Sequence, residues 1–449
     1  MIMKKIHAVI AIIILAGMVL SACGGAPAAT QAPAAATEAP AQPAADAKVL
    51  RVWIQWGDNP QQIQALFDKY TALSGVKVEV TAPVEPEKLL PALTGSEPPD
   101  ILVLSGGDLV KSYHKEKLVA ELTEIVKTGG IDLTDFYPAP LAACQSGDQI
   151  LCLPWGTDVY ALFWNKDMFE AAGLDPNTPP KTMEELVQFS EKLTKVSADG
   201  TIEQVGFLPD QAWSHSPDIY LRMYGGFWFS EDATKLTANS QPVLDALQWQ
   251  QQFYTKYGAD KMLAFSSGWG DAYMSADYPF YTGKLAMYVD GEWMTGPNFI
   301  SKFKPEASYG VAAFPPPADH PERASTATVS GTVVVVPEGG QNKDAAAKLL
   351  AWMMSPAVVA EEFCFNANLP TSKKAAEDKC FTENPKFKVF LDIMASPNAK
   401  PIITTPVSLE FIDAWGVVEE QVLHTGADPK PLLDQLQADF EPKLADALK

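Results

Sequence analysis

Apolar positions change their period several times along this chain, and each change marks an element. VLRVWIQW (49–56) reads as a strand. Asn59-Pro60 then opens a helix, with Asn as the cap and Pro in the first turn. Ile63, Leu66, Phe67 and Tyr70 recur at i, i+3, i+4 and i+7, the apolar stripe of an amphipathic helix that Gly75 ends. VKVEV is a second strand, PEKLLPAL a short helix, and DILVLS (100–105) a third strand. Strand, helix, strand, helix, strand predicts an α/β fold with a parallel, doubly wound sheet. Ligands of such sheets sit beyond the carboxyl ends of the strands. The loops there are Trp56-Gly57-Asp58-Asn59 and Gly106-Gly107-Asp108.

The stretch 153–193 has a different character. DVYALFWN (158–165) is apolar on both faces, as in a strand covered on both sides. NKDMFEAAG predicts a short helix with Gly173 as its C-terminal cap, and Thr182 with Glu185 forms a T-x-x-E capping box. Residues 181–255 read as mostly helical, broken at FLPDQAWSH (207–215). In the aromatic run YLRMYGGFWF (220–229), Phe227 and Phe229 read as core and Trp228 is left open. In LAMYVDGEW (285–293) a strand ends in Gly291, which is expected to turn the backbone and aim Trp293 into a cleft. VSGTVVVVP (329–337) is a buried strand, and SLEFIDAWGVVEEQVL is a helix carrying Trp415. An amphipathic helix, PLLDQLQADFEPKLADAL, closes the chain.

The N-terminus has another pattern. Lys4 and Lys5 precede an apolar run, 8–20, too short to span a bilayer as a stable helix. The run ends in Leu20-Ser21-Ala22-Cys23, which matches the bacterial lipobox. Residues 1–22 are therefore expected to be a signal peptide, with a lipid on Cys23 anchoring the protein to the membrane. The Ala/Pro-rich residues 23–47 show no apolar period and read as a semi-rigid tether.

At 449 residues the chain exceeds one ordinary core, so two lobes are expected. A net charge of −21 argues against nucleic acid and against anionic membrane surfaces. Apart from Cys23 there are four cysteines, an even number in an exported chain. Cys144 and Cys152 flank a Ser-Gly-Asp turn at hairpin spacing and are expected to pair, which leaves Cys364 for Cys380. With no C-x-x-C and the His scattered, no metal and no cofactor are expected.

Several motifs resemble one family. They are Pro154 ahead of an apolar strand, FWNKD with Trp164 in place of the usual Tyr, Gly173-Leu174, Pro179-Pro180-Lys181-Thr182 with Glu185, and Gly283-Lys284 with Ala286-Met287, Gly291 and Trp293. This pattern is similar to that of the extracellular solute-binding proteins of ABC importers, the maltose-binding-protein family. The resemblance implies a two-lobed, type II-like periplasmic-binding-protein fold with each lobe a doubly wound sheet, joined by hinge strands. Lobe 1 would be 48–155 with about 328–375, and lobe 2 would be 156–327 with about 376–449. It implies a monomer on the extracytoplasmic face that binds a mono- or oligosaccharide and delivers it to the importer's transmembrane subunits. Matched positions place Asp58, Asp108, Asp158, Asp210, Trp213, Trp293 and Trp415 at the solute, and the first loop adds Trp56. Aromatic faces suit pyranose rings, and carboxylates take hydroxyls.

Two alternatives remain open. A candidate site rich in Asp and poor in Arg also suits a cationic or other polar solute. A secreted glycoside hydrolase would need two carboxylates about 5–9 Å apart, drawn from Asp158, Asp210, Asp290 and Glu292.

Overall fold

The computed structural model describes residues 49–57, 59–107, 109–211 and 218–449. The expectations for the signal peptide, Cys23, the tether, Asp58, Asp108 and Trp213 lie outside these residues.

In the first sheet Leu50–Ile54 runs parallel to both Val78–Thr81 and Ile101–Leu104, as the strand–helix–strand order predicts. The helix Pro60–Ser74 buries Ile63, Leu66, Phe67 and Tyr70. Asn59 accepts the Gln62 N–H at its start, and Gly75 sits in the left-handed region at its end. Ile101–Leu104 is buried at every position because both faces of the sheet are covered. Val333–Val335 then joins antiparallel, followed by Leu153–Pro154. A segment more than two hundred residues away in sequence thus completes the sheet.

The second sheet has the order Tyr309–Ala312, Tyr160–Asn165, Leu285–Gly291, Ile202–Phe207, Lys195–Val196. The doubly apolar Tyr160–Asn165 lies inside it, antiparallel to both neighbours. The capping box forms with one change: Thr182 accepts from the Glu185 N–H, but the Glu185 carboxylate reaches back to the Lys181 N–H. One expectation needs correction. Lys195–Val196 and Ile202–Phe207 are strands joined by a turn, rather than a stretch of helix. Ile202–Phe207 is short and mixes polar residues and a glycine with its apolar ones, so its period is weak, and pairing with Leu285–Gly291 decides its state.

Three segments cross where the sheets meet. Gly156–Thr157 pairs with Leu369–Pro370, and Asp158 bridges Ser330. The crossing is tight. Gly331 has φ +152, and a Cβ there would lie 2.4 Å from Thr157 Cα. Both expected disulfides are present, Cys144–Cys152 across the hairpin and Cys364–Cys380.

Candidate functional site

A cavity of about 1080 Å³ opens beside these crossing segments. Gln55 and Trp56 from the end of the first strand, with Ser105 and Gly106 from the end of the third, form one side. Asp158 and Tyr160 lie on the crossing chain. Trp228, Trp293 and Trp415 line it as well. Five of the sequence-predicted site residues, Trp56, Asp158, Asp210, Trp293 and Trp415, line this one cavity.

Asp158 is half-buried and hydrogen-bonded to Glu292 and to Asn368. A hydrogen bond between two carboxyls needs a proton on one of them. Burial supplies the reason for retaining it. Asp158 is pushed up to about 6 by burial, and Glu292 is pushed well above the usual carboxylate range by burial and then by the charge of Asp158. Glu292 also accepts the Leu369 N–H at 3.2 Å, which ties it to one of the crossing strands.

Trp293 is held by a chain of donors. Its indole N–H donates to Tyr273 Oη at 2.7 Å, and that hydroxyl donates to the two oxygens of Asp290 at 3.1 and 3.0 Å. Tyr160 meets the Trp293 ring edge-on, with centroids 6.0 Å apart. The reason expected for Gly291 needs correction. Its backbone is extended rather than sharply turned (φ −81, ψ 172). The glycine is needed because a Cβ would lie 2.2–2.5 Å from the Trp293 ring, which folds back over it.

Asp210 is already engaged. It accepts from Tyr254 Oη at 2.6 and 2.7 Å and pairs with His424 Nε2 at 2.9 Å. This bond raises the His424 pKa above its ordinary value. Phe227 and Phe229 are core, as expected, while Trp228 packs against Trp415 at 5.4 Å and reaches the cavity.

Glu419 and His424 also line the cavity, and sequence reasoning did not single them out. A signal was present. Ile412, Trp415, Gly416, Glu419 and Leu423 recur at helical spacing on Ser408–Thr425 and share the face that Trp415 presents. Among the described lining residues there are four carboxylates, Asp158, Asp210, Glu419 and Glu420, one histidine, and no Lys or Arg. Among the described residues one Cys/Asp group is close enough to hold a metal, Cys364, Asp378 and Cys380, and its two sulfurs are bonded to each other.

Residues 55–360 match the model of the bacterial extracellular solute-binding proteins. The chain belongs to that family. The family is one of bacterial extracellular solute-binding proteins, which places this chain outside the cytoplasm. Its relatives include the sn-glycerol-3-phosphate-binding periplasmic protein UgpB of Shigella flexneri, 26% identical over 317 residues. That match covers 65% of this chain and 66% of the relative, so the chain spans just under two thirds of the relative's length. Among solved structures, CpMnBP1 with mannotriose bound has a TM-score of 0.78 at 27% identity, covering 87% of this chain and 99% of that one. UgpB from Mycobacterium tuberculosis in complex with glycerophosphocholine shares the two-lobed fold, with a TM-score of 0.72 at 18% identity over 90% of this chain and all of that one.

Proposed function

We propose that this solute-binding protein captures a neutral carbohydrate, a mono- or oligosaccharide, in the cleft between its lobes and passes it to an ABC importer as a lipid-anchored, non-enzymatic monomer. The observation that carries this reading is the cavity wall. Four indole rings, those of Trp56, Trp228, Trp293 and Trp415, line it together with Asp158. Apolar ring faces stack on indoles, and a carboxylate accepts hydroxyl protons. The chain would pass between lobes near 155–158, 328–332 and 368–376. The similarity to CpMnBP1 with mannotriose bound supports the same class of solute.

A phosphorylated solute such as that named for the UgpB relative fits less well. Phosphate sites are built from Arg, Lys or helix N-termini. The described lining residues bring carboxylates and no Lys or Arg. Hydrolysis also fits poorly. Glu292 and Asp290 are both sealed from solvent, and Asp210 is held by Tyr254 and His424, which leaves no free pair of carboxyls across the cavity. One observation favours a second reading, a cationic solute: the same indoles and carboxylates also suit an ammonium group.

Mass spectrometry of the solute that co-purifies with the protein tests the class directly. A sugar supports the proposal, and a phosphate ester or an amine contradicts it. The proposed anchor has its own test. Cys23→Ala should abolish lipid attachment, and a variant still processed and membrane-bound contradicts it.

A further inference from the structure

Glu292 follows the strand Leu285–Gly291 directly and is sealed from solvent. One of its oxygens accepts the Leu369 N–H at 3.2 Å. The other, Oε2, is buried with no N–H or O–H to accept. The same carboxyl meets that of Asp158. The register explains why. Leu369 lies opposite Thr157, the neighbour of Asp158 in the chain. Three distant segments thus converge on one buried acid, and among the described residues no cation acts on either carboxyl. Two bare carboxylates in contact, screened by little water, would repel strongly. The arrangement holds together when one of them carries a proton.

We propose that Glu292 is a positioning residue that works as a neutral acid: its proton holds Asp158 in place for the solute and ties it to the crossing strand at Leu369, so that solute affinity falls as that proton is lost. This rests on Asp158 as a solute contact in the carbohydrate reading and adds regulation of that site by pH. Burial, and then the charge of Asp158, favour the proton on Glu292, while Asp158, at about 6, is ionised near neutral pH and accepts hydroxyl protons. A solute that covers the half-buried Asp158 removes water from the pair and strengthens the hold of Glu292 on its proton. The sign follows. Affinity gained this way is fully present below the solute-free pKa of Glu292 and is lost as pH rises through the higher pKa of the complex.

The charged groups around the pair leave it without a counter-ion. Asp218 and Asp290 add their charges to those of Asp158 and Glu292 at Tyr160. Arg222, beside Asp218, donates to Thr328 and to the Pro401 carbonyl. The helices Ile300–Phe303 and Pro385–Met394 pack against Glu292–Thr295, but Lys302 lies over Phe303, Lys386 over Tyr309, and Lys388 pairs with Asp392. Near the crossing strand, Glu362 bonds to Asn366 and Asp135 to Ser372. Asp210, Glu419, Glu420 and His424 also line the cavity, and their titration is common to wild type and a Glu292 variant.

The test is calorimetric titration of the full-length protein with mannobiose, mannotriose, maltose and maltotriose at pH 7 and at pH 9. Wild type should bind about tenfold more weakly at pH 9 and take up a proton on binding, read from the dependence of the heat on the buffer's ionisation. Glu292→Gln keeps an acceptor for the Leu369 N–H and donates an amide proton to Asp158 at every pH. Its affinity should stay within about threefold between the two pH values, without proton uptake. Glu292→Leu loses both bonds and should bind about tenfold more weakly at pH 7. If Glu292→Gln keeps the wild-type slope, or weakens binding equally at both pH values, Glu292 only packs the crossing and the proposal is overturned while the carbohydrate reading stands. A second readout needs no solute. The infrared carbonyl band of a protonated carboxyl should appear in the difference between wild type and Glu292→Gln at pH 7, and its absence also overturns the proposal. If no sugar on the panel binds, the carbohydrate reading falls, and the infrared band alone then supports or overturns the neutral acid.

Discussion

The indole N–H of Trp293 donates to Tyr273 Oη at 2.7 Å, and the same hydroxyl donates to the buried Asp290. A ring presented to the cavity is thus fixed by a polar chain that ends inside the lobe. Trp293→Ala should weaken sugar binding by roughly 2 kcal/mol, about 30-fold in Kd. Trp293→Phe keeps a stacking face but leaves Tyr273 without its donor, so about 1 kcal/mol should be lost. Calorimetric titration measures both, and urea melts of the same variants separate binding from folding. Unchanged affinity with a stability loss of ~3–5 kcal/mol would mean that Trp293 is core.

Asp290 makes stability depend on pH. Burial pushes it up to about 8 from an ordinary 3.8, against the opposing bonds from the Gly291 N–H and Tyr273. Between those values the native protein keeps a proton that the unfolded chain has lost. The contribution is therefore fully present below 3.8 and is lost as pH rises through about 8. Each group of this kind lowers stability by up to about 1.4 kcal/mol per pH unit. Asp158, at about 6, and Glu362, at about 7, act in the same direction. Asp290→Asn retains acceptors for Gly291 and Tyr273 and removes the ionisation. Its urea-melt stability should fall less steeply between pH 5 and 8 than that of wild type. Equal slopes contradict a buried, protonated Asp290.

Gly331→Ala should damage the crossing of the lobes. Its Cβ would lie 2.4 Å from Thr157 Cα, backbone that a side chain cannot push aside cheaply, and its φ of +152 is strained for any L residue. We expect a loss of about 1–3 kcal/mol in urea melts together with weaker solute binding. Wild-type behaviour in both would show that the segments have room to part.

The disulfide between Cys144 and Cys152 closes a hairpin whose two cysteines are buried. Replacing both with Ala should cost about 2–3 kcal/mol, read by urea denaturation against wild type under non-reducing conditions. Free thiols at these positions in the exported protein contradict the pairing.

Much of this structure was legible in the sequence where one local signal decides one element. The stripe Ile63–Tyr70 specified a helix and its buried face, and the doubly apolar 160–165 specified an interior strand. The residues gathered at the cavity were legible mainly through spacing shared with a family. Trp56, Asp158, Asp210, Trp293 and Trp415 come from five distant segments, and no local period brings them together. What stayed hidden depends on partners across the fold. Ile202–Phe207 has too weak an alternation to declare itself without Leu285–Gly291 beside it. Glu419 looks like any surface helix acid until Trp415, on the turn before it, is known to face the cavity. That Asp210 is held by Tyr254 and His424 depends on contacts 44 and 214 residues away in sequence.

The central claim is that the cleft takes a neutral sugar. Calorimetric titration of the purified protein with mannobiose, mannotriose, maltose and maltotriose, beside sn-glycerol-3-phosphate and choline, at low and at high salt, tests it most directly. Stacking and hydroxyl hydrogen bonds are short-ranged and little screened, so at least one oligosaccharide should bind with a Kd that hardly changes with salt, while the phosphate and the ammonium compound give no heat. Binding of glycerol-3-phosphate or choline that weakens with salt, with every sugar silent, would contradict it.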